Sequence, residues 1–136
     1  MINELIKLIE SQEKELKKLL QLLKIQYKLI IGRDIFGLEG LVDKINICGK
    51  AIARQEIERR NILGDNSIKD FVNNSNSEEL KENYNKIQNT LSLVVNQKET
   101  NELLLRQEMS FNNRMLEIIT PRREIKTYNS YGNLSK

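Results

Sequence analysis

The sequence predicts an all-α protein: an antiparallel bundle of three main long helices, with the C-terminal helix longest and a flexible basic tail behind it. Three observations predict it. Apolar residues recur at three- and four-residue steps over long stretches at both ends of the chain, the spacing of one helical face. The 136 residues contain one proline, Pro121, so little interrupts a helix. Strand signals are weak: Phe and Tyr total seven, Trp is absent, and no alternating run of Val, Ile, Thr and aromatic residues stands between turn signals. With 30% charged residues, long amphipathic helices are the natural way to bury the apolar share. The expected organisation is a helical domain over residues 1–120 and a tail over 121–136.

The first helix is expected over residues 2–31. Ile2, Leu5, Ile9, Leu16, Leu19, Leu23 and Ile30 fit a seven-residue repeat, with Gln12 and Gln26 in the remaining seam positions. Ile6, Leu20 and Tyr27 flank the seam and widen it. A stripe this wide buries against two neighbours better than against one, which favours a bundle over a two-stranded coil. Glu10–Lys14 and Glu13–Lys17 add pairs four residues apart.

Gly32-Arg33-Asp34 breaks the pattern. Gly32 is suited to end one helix and Asp34 to cap the next. The second helix then covers Ile35 to Leu63, with a face of Ile35, Leu38, Leu41, Val42, Ile45, Cys48, Ile52, Ile62 and Leu63. Gly37, Gly40 and Gly49 lower its propensity by about 1 kcal/mol each relative to Ala. They signal either close packing or a bend, or simply a less stable helix. Gly64-Asp65-Asn66-Ser67 ends this segment. In the polar connection that follows, Ile68, Phe71 and Val72 have the makings of one helical turn. Ser75 with Glu78 has capping-box spacing, so the last helix begins near there and ends before Pro121.

Along that helix Leu80, Tyr84, Ile87, Leu91 and Val94 share one face. The same steps then reach Lys98, Asn101, Leu105, Glu108 and Asn112. Lys98 and Glu108 are costly to bury unpaired, so this part of the face is not sealed like an ordinary core. Leu103, Leu104, Met109, Phe111, Met115, Leu116 and Ile118 surround it. A helix half committed to a core and half exposing Leu, Met and Phe is a surface for a partner.

The chain excludes most chemistry. It has no histidine, so Ser-His-Asp triads and histidine-containing metal sites are out, and Cys48 alone cannot build a thiolate zinc site or an internal disulfide. No phosphate-cradling glycine loop follows a strand. Glu78–Glu79 and Glu99–Glu102 are ordinary carboxylates of helix starts and faces. The expectation is therefore no catalysis and no cofactor. The net charge of +3 is dispersed as a solvated helix surface, and Tyr128 and Tyr131 beside Arg122 and Arg123 make too weak a signal to imply nucleic acid. The start of the chain lacks signal-peptide character, and the longest apolar run is three residues, so a cytoplasmic protein without stable membrane insertion is expected. Binding another protein is the class that remains.

The order of segments resembles the FlgN-type flagellar export chaperones. Ile9-Glu10 through Leu19-Leu20-Gln21-Leu22-Leu23 carries the first part of the resemblance. Gly32-Arg33-Asp34-Ile35-Phe36-Gly37-Leu38-Glu39 is similar to the family's junction, and a stretch ending Gln55-Glu56-Ile57-Glu58-Arg59-Arg60 follows it. Asn101-Glu102-Leu103-Leu104-Leu105-Arg106-Gln107-Glu108-Met109-Ser110-Phe111 is the most specific part. The tail, with Thr127-Tyr128 and Gly132, resembles the family's closing T-Y-x-x-x-G.

The resemblance implies a cytoplasmic chaperone for the hook-associated proteins FlgK and FlgL. Such a chaperone holds the client's C-terminal amphipathic region, prevents premature assembly and delivers the client to the gate of the flagellar type III export apparatus. Carried over by position, Asn101, Leu104, Leu105, Glu108, Met109, Phe111, Asn112, Met115, Leu116 and Ile119 become the substrate surface. Glu108 stands where a small or uncharged polar residue is expected and suits a basic feature of a client. Tyr128, in the T-Y position, is the first candidate for docking to the gate, and Tyr131 the second. Two alternatives stand beside this: a self-associating structural coiled coil, and a chaperone for the filament or cap protein. A chaperone is expected to be a monomer or weak homo-dimer that shifts on adding a client, whereas a structural coil stays oligomeric alone.

Overall fold

The computed structural model describes the backbone of residues 2–119 and the side chains of residues 2–108. Every regular element among them is a helix: α1 (Ile2–Ile31), α2 (Ile35–Leu63), the short α3 (Ile68–Asn73) and α4 (Glu78–Ile119). The all-α expectation holds. The chain divides into two compact units, residues 1–101 and 102–136, so α4 begins in the first and continues into the second. The expected boundary between residues 120 and 121 and the tail itself lie outside the described residues.

α1 buries the face that its repeat predicts. Leu5, Ile6, Ile9, Leu16, Leu20, Leu23 and Ile30 are buried, and the seam glutamine Gln12 is buried among them. Leu8, on neither the seam nor its flanks, is also buried, whereas Ile2 is exposed at the helix start. Against this stripe pack Leu63 of α2, Val72 of α3, and Leu80, Ile87 and Val94 of α4. The single turn expected around Phe71 is α3, and its Phe71 and Val72 do tuck into the core.

α1 and α2 form an antiparallel hairpin. Gln12 reaches Glu56 while Glu15 reaches Cys48, so partner numbers fall as α1 proceeds. α4 runs alongside α1 in the same direction. Its Thr90 hydroxyl donates to Glu13 Oε2 at 2.8 Å, and Asn101, eleven residues on, reaches Leu23, ten residues on.

The α1–α2 junction closes by a device other than the expected one. Gly32 is not the left-handed residue; Arg33 is, at φ 55°. The Arg33 amide donates to Ile30 O and the Asp34 amide to Leu29 O, the paired closure of a Schellman motif with Arg33 in the position usually given to glycine. Asp34 then caps α2, as expected, accepting from the Gly37 amide at 2.9 Å. At the start of α4, Ser77 does the capping: its hydroxyl accepts from the Leu80 amide at 3.2 Å. Ser75, the predicted cap, instead accepts from the Ser77 amide and fixes the approach.

α2 departs most from its expected face. Leu41, Cys48 and Leu63 are buried and Ile45 and Ile52 pack partly against the core, but Ile35 and Val42 are exposed. Of its glycines, Gly37 alone meets a close approach: a Cβ there would lie 2.7 Å from Asp34 Oδ2 and 2.9 Å from Leu29 Cδ2. At Gly40 and Gly49 nothing lies within 4 Å.

Candidate functional site

The predicted substrate surface begins where α4 leaves the first unit. Up to Val94 the helix face is buried as predicted at Leu80, Ile87 and Val94, with Tyr84 partly buried and Leu91 exposed. Asn101 then sits in the core, 2% exposed. Its amide nitrogen donates to Leu23 O at 2.7 Å and to Gln26 Oε1 at 2.8 Å, while its own oxygen accepts from Gln97 Nε2 at 3.0 Å. All three polar functions of this short side chain are engaged inside the first unit. Asn101 is thus held against α1 in the free chain.

Exposed apolar residues flank the anchor on both sides, with Leu93 56% and Val95 42% exposed before it. Leu103 is 53% exposed and Leu105 37%, with Leu104 and Glu108 half-buried. Leu103 was not among the expected contact residues, yet it is the more exposed of the two leucines. Met109, Phe111, Asn112, Met115, Leu116 and Ile119 lie on the described helix backbone, and their side chains lie outside the described residues. Tyr128 and Tyr131 lie outside them altogether. Leu104 and Leu105 lie about one turn after Asn101 along α4, and Glu108 about two turns after it.

A second feature was not read from the sequence. Within the first unit an open cleft of about 330 Å³ is walled by Ile9, Leu16, Ile52, Ile68, Tyr84, Ile87 and Leu91. Its polar edge is built from Gln12, Glu56 and Arg59. Gln12 Nε2 donates to Glu56 Oε1 at 3.3 Å, and Arg59 pairs with the same carboxylate, its Nε donating at 3.2 Å. Burial pushes the Glu56 carboxyl up, but the hydrogen bonds from Arg59 and Gln12 and the charges of Arg59 and Arg60 outweigh it and hold the group below its usual range. The signal that could have exposed this network is the break in the α1 seam at Gln12: a polar residue in a core position needs a partner.

Cys48 is buried, with its thiol 3.7 Å from Glu15 O. Burial, reinforced by the Glu15 charge, raises its pKa despite Lys18, so the thiol stays protonated and unreactive. It is the small apolar residue the sequence suggests. No helix among the described residues is long and apolar enough to cross a membrane.

Comparison with known proteins agrees with the resemblance in the segments. The family model described as FlgN protein matches residues 1–136, the whole chain. No curated protein and no solved structure gives a match. An all-helical chain, matched end to end and carrying a partly exposed leucine run at the start of its second unit, belongs to the FlgN family and so to the flagellar export chaperones.

Proposed function

We propose that this chain is a cytoplasmic chaperone of flagellar type III export that holds the C-terminal amphipathic region of the hook-associated proteins FlgK and FlgL. It works as an antiparallel bundle of three main helices that presents the C-terminal part of α4. The observation that supports this best is the pair of leucines left exposed after Asn101, Leu103 at 53% and Leu105 at 37%. A client helix laid along α4 buries those leucines, with Met109, Phe111, Met115, Leu116 and Ile119 continuing the contact and Glu108 and Asn112 setting register. Methionine repacks easily, which suits a surface that takes two clients. Asn101 serves as the fixed end of that surface, holding α4 against α1. Tyr128, and next to it Tyr131, docks the loaded chaperone to the export-gate protein.

Isothermal titration of the chain with C-terminal fragments of FlgK and FlgL tests the reading. The expected result is one-to-one binding with a negative heat-capacity change, the mark of buried apolar surface. A folded chain that binds neither fragment, but binds the corresponding region of the filament or cap protein, would move the assignment to that client.

A further inference from the structure

The turn that joins α1 to α2 carries an apolar tip which the chain's own packing leaves uncovered. Ile31, Ile35 and Phe36 fall within six residues around it and are 56%, 63% and 85% exposed. Ile25, within two turns of it along α1, is exposed as well. The backbone beneath them is fixed: the Arg33 and Asp34 amides close the end of α1, and the Asp34 side chain caps α2. The tip is therefore an ordered corner that holds large apolar side chains in water, unlike the polar turns that usually join helices. The end of a helical hairpin is convex. It offers no groove for a partner helix, and it suits a soft interface that closes around whatever enters it.

The charges beside the tip select the interface. From Leu16 to Arg33 the chain carries the bases Lys17, Lys18, Lys24, Lys28 and Arg33 and no acid. Lys17 and Lys18 are paired with Glu13 and Glu15, away from the tip. Lys24 and Lys28, the two nearest it on α1, are exposed and join no ion pair among the described residues. Across the turn the Asp34 carboxylate is engaged by the Gly37 amide, and the next acid, Glu39, lies about one turn beyond Phe36 along α2. We infer that this tip is a docking site for an anionic lipid surface. Ile31, Ile35 and Phe36 enter the boundary between headgroups and acyl chains, while Lys24, Lys28 and Arg33 lay their aliphatic stems along it and meet the lipid phosphates. The tip rests on such a surface and does not cross it, since no helix among the described residues is long and apolar enough to span. A few apolar side chains with a few bases give a reversible contact, not a permanent anchor. The inference does not depend on the client reading, whose residues lie on α4.

Flotation of the full chain at low salt, with phosphatidylcholine vesicles that contain or lack phosphatidylglycerol, tests it. The chain is expected to float with the mixed vesicles, to stay behind with the neutral ones, and to be released by added salt. Ile35→Ser with Phe36→Ser lowers the partition about tenfold or more, because two apolar side chains leave the boundary. Lys24→Glu with Lys28→Glu lowers it by a similar factor. All four side chains are exposed, so circular dichroism of both variants keeps its helical signal. Arg122→Glu with Arg123→Glu, which reverses the basic start of the tail, leaves the partition nearly unchanged. Phe36→Trp gives the chain its one tryptophan, whose emission shifts to the blue on the mixed vesicles. A chain that stays behind with the mixed vesicles overturns the inference. So does flotation that ignores the Ile35 and Phe36 changes or is lost only with the tail reversal, an emission that stays fixed, or tip variants that weaken capture by the export-gate protein and leave flotation alone.

Discussion

Asn101 of α4 donates from its amide nitrogen to the backbone carbonyl of Leu23 in α1 at 2.7 Å. The bond is buried, and it closes the first unit at its last residue. Buried polar contacts of this kind fix register better than apolar contacts do, because a one-residue slip leaves polar groups without partners. Thr90 with Glu13 does the same one stretch earlier. Two polar ties thus set how α4 lies along α1 before the helix goes on to the proposed client surface.

Asn101→Ala should cost about 1–3 kcal/mol, the range for removing one partner of a buried hydrogen-bonded set. Urea unfolding followed by circular dichroism reads it directly. Asn101→Asp should be worse at neutral pH, because a carboxylate would face Leu23 O and Gln26 Oε1, both acceptors. That environment raises the folded-state pKa of the introduced acid. Its penalty is therefore absent below the unfolded value of about 3.9 and grows as pH rises through the folded one. An Asn101→Asp protein as stable as wild type at neutral pH would show that the contact is dispensable.

Much of this was legible in the residues. The α1 repeat identified its buried face down to the polar seam position Gln12, because burial there follows one strong period. The bounds of α1 and α2 were legible too, because Gly32, Asp34 and Gly64 mark the breaks. α2 was less legible: its steps of three and four allow more than one apolar stripe, and periodicity does not say which stripe faces the core. Ile35 and Val42 therefore seemed internal and are exposed. The bonds of Asn101 to Leu23 O and Gln26 were not legible, because its position in the repeat does not reveal what lies opposite it. Cap choice was ambiguous in the same local way, since Ser75 and Ser77 both sit close enough to serve the first turn of α4.

The glycines of α2 should answer alanine substitution in opposite senses. Gly49→Ala meets open space and should stabilise the chain by about 0.5–1 kcal/mol through helix propensity. Gly37→Ala gains the same propensity but places a methyl against the Asp34 carboxylate that caps the helix, so it should gain nothing or lose. Thermal melts of the two variants side by side separate the cases. Equal gains at both would mean that the cap moves aside freely.

Glu56 should give the chain a pH-dependent contribution. Its folded-state pKa lies below the unfolded value, so the contribution is present above about pH 4.3 and is lost as pH falls through the folded pKa. The carboxylate is about a third exposed at 34%, so solvent screens the pair and the effect should stay under about 1 kcal/mol. The comparison is the urea midpoint of wild type and Glu56→Gln from neutral to acid pH. The gap between them should narrow in acid. A constant gap would assign the effect to packing of the side chain.

Leu105→Asp combined with Met109→Asp should abolish client binding and leave the helical circular-dichroism signal intact. Leu105 is already 37% exposed in the free chain, so a carboxylate there is solvated until a client helix tries to cover it. Loss of helix in this variant would instead make the pair part of the chain's own core.

Tyr128→Ala separates the two steps of delivery. Under the proposed assignment, client affinity by titration should be unchanged, since the substrate surface runs along α4 and ends at Ile119. Capture of the loaded chaperone by the purified cytoplasmic part of the export gate should weaken. Tyr131→Ala should show the same pattern to a smaller degree. The distinction is physical: a residue that only touches the gate alters one equilibrium and leaves the other alone, because client binding carries no energetic term from it. If client affinity falls together with gate capture, the tail closes over the client, and Tyr128 belongs to the substrate clamp.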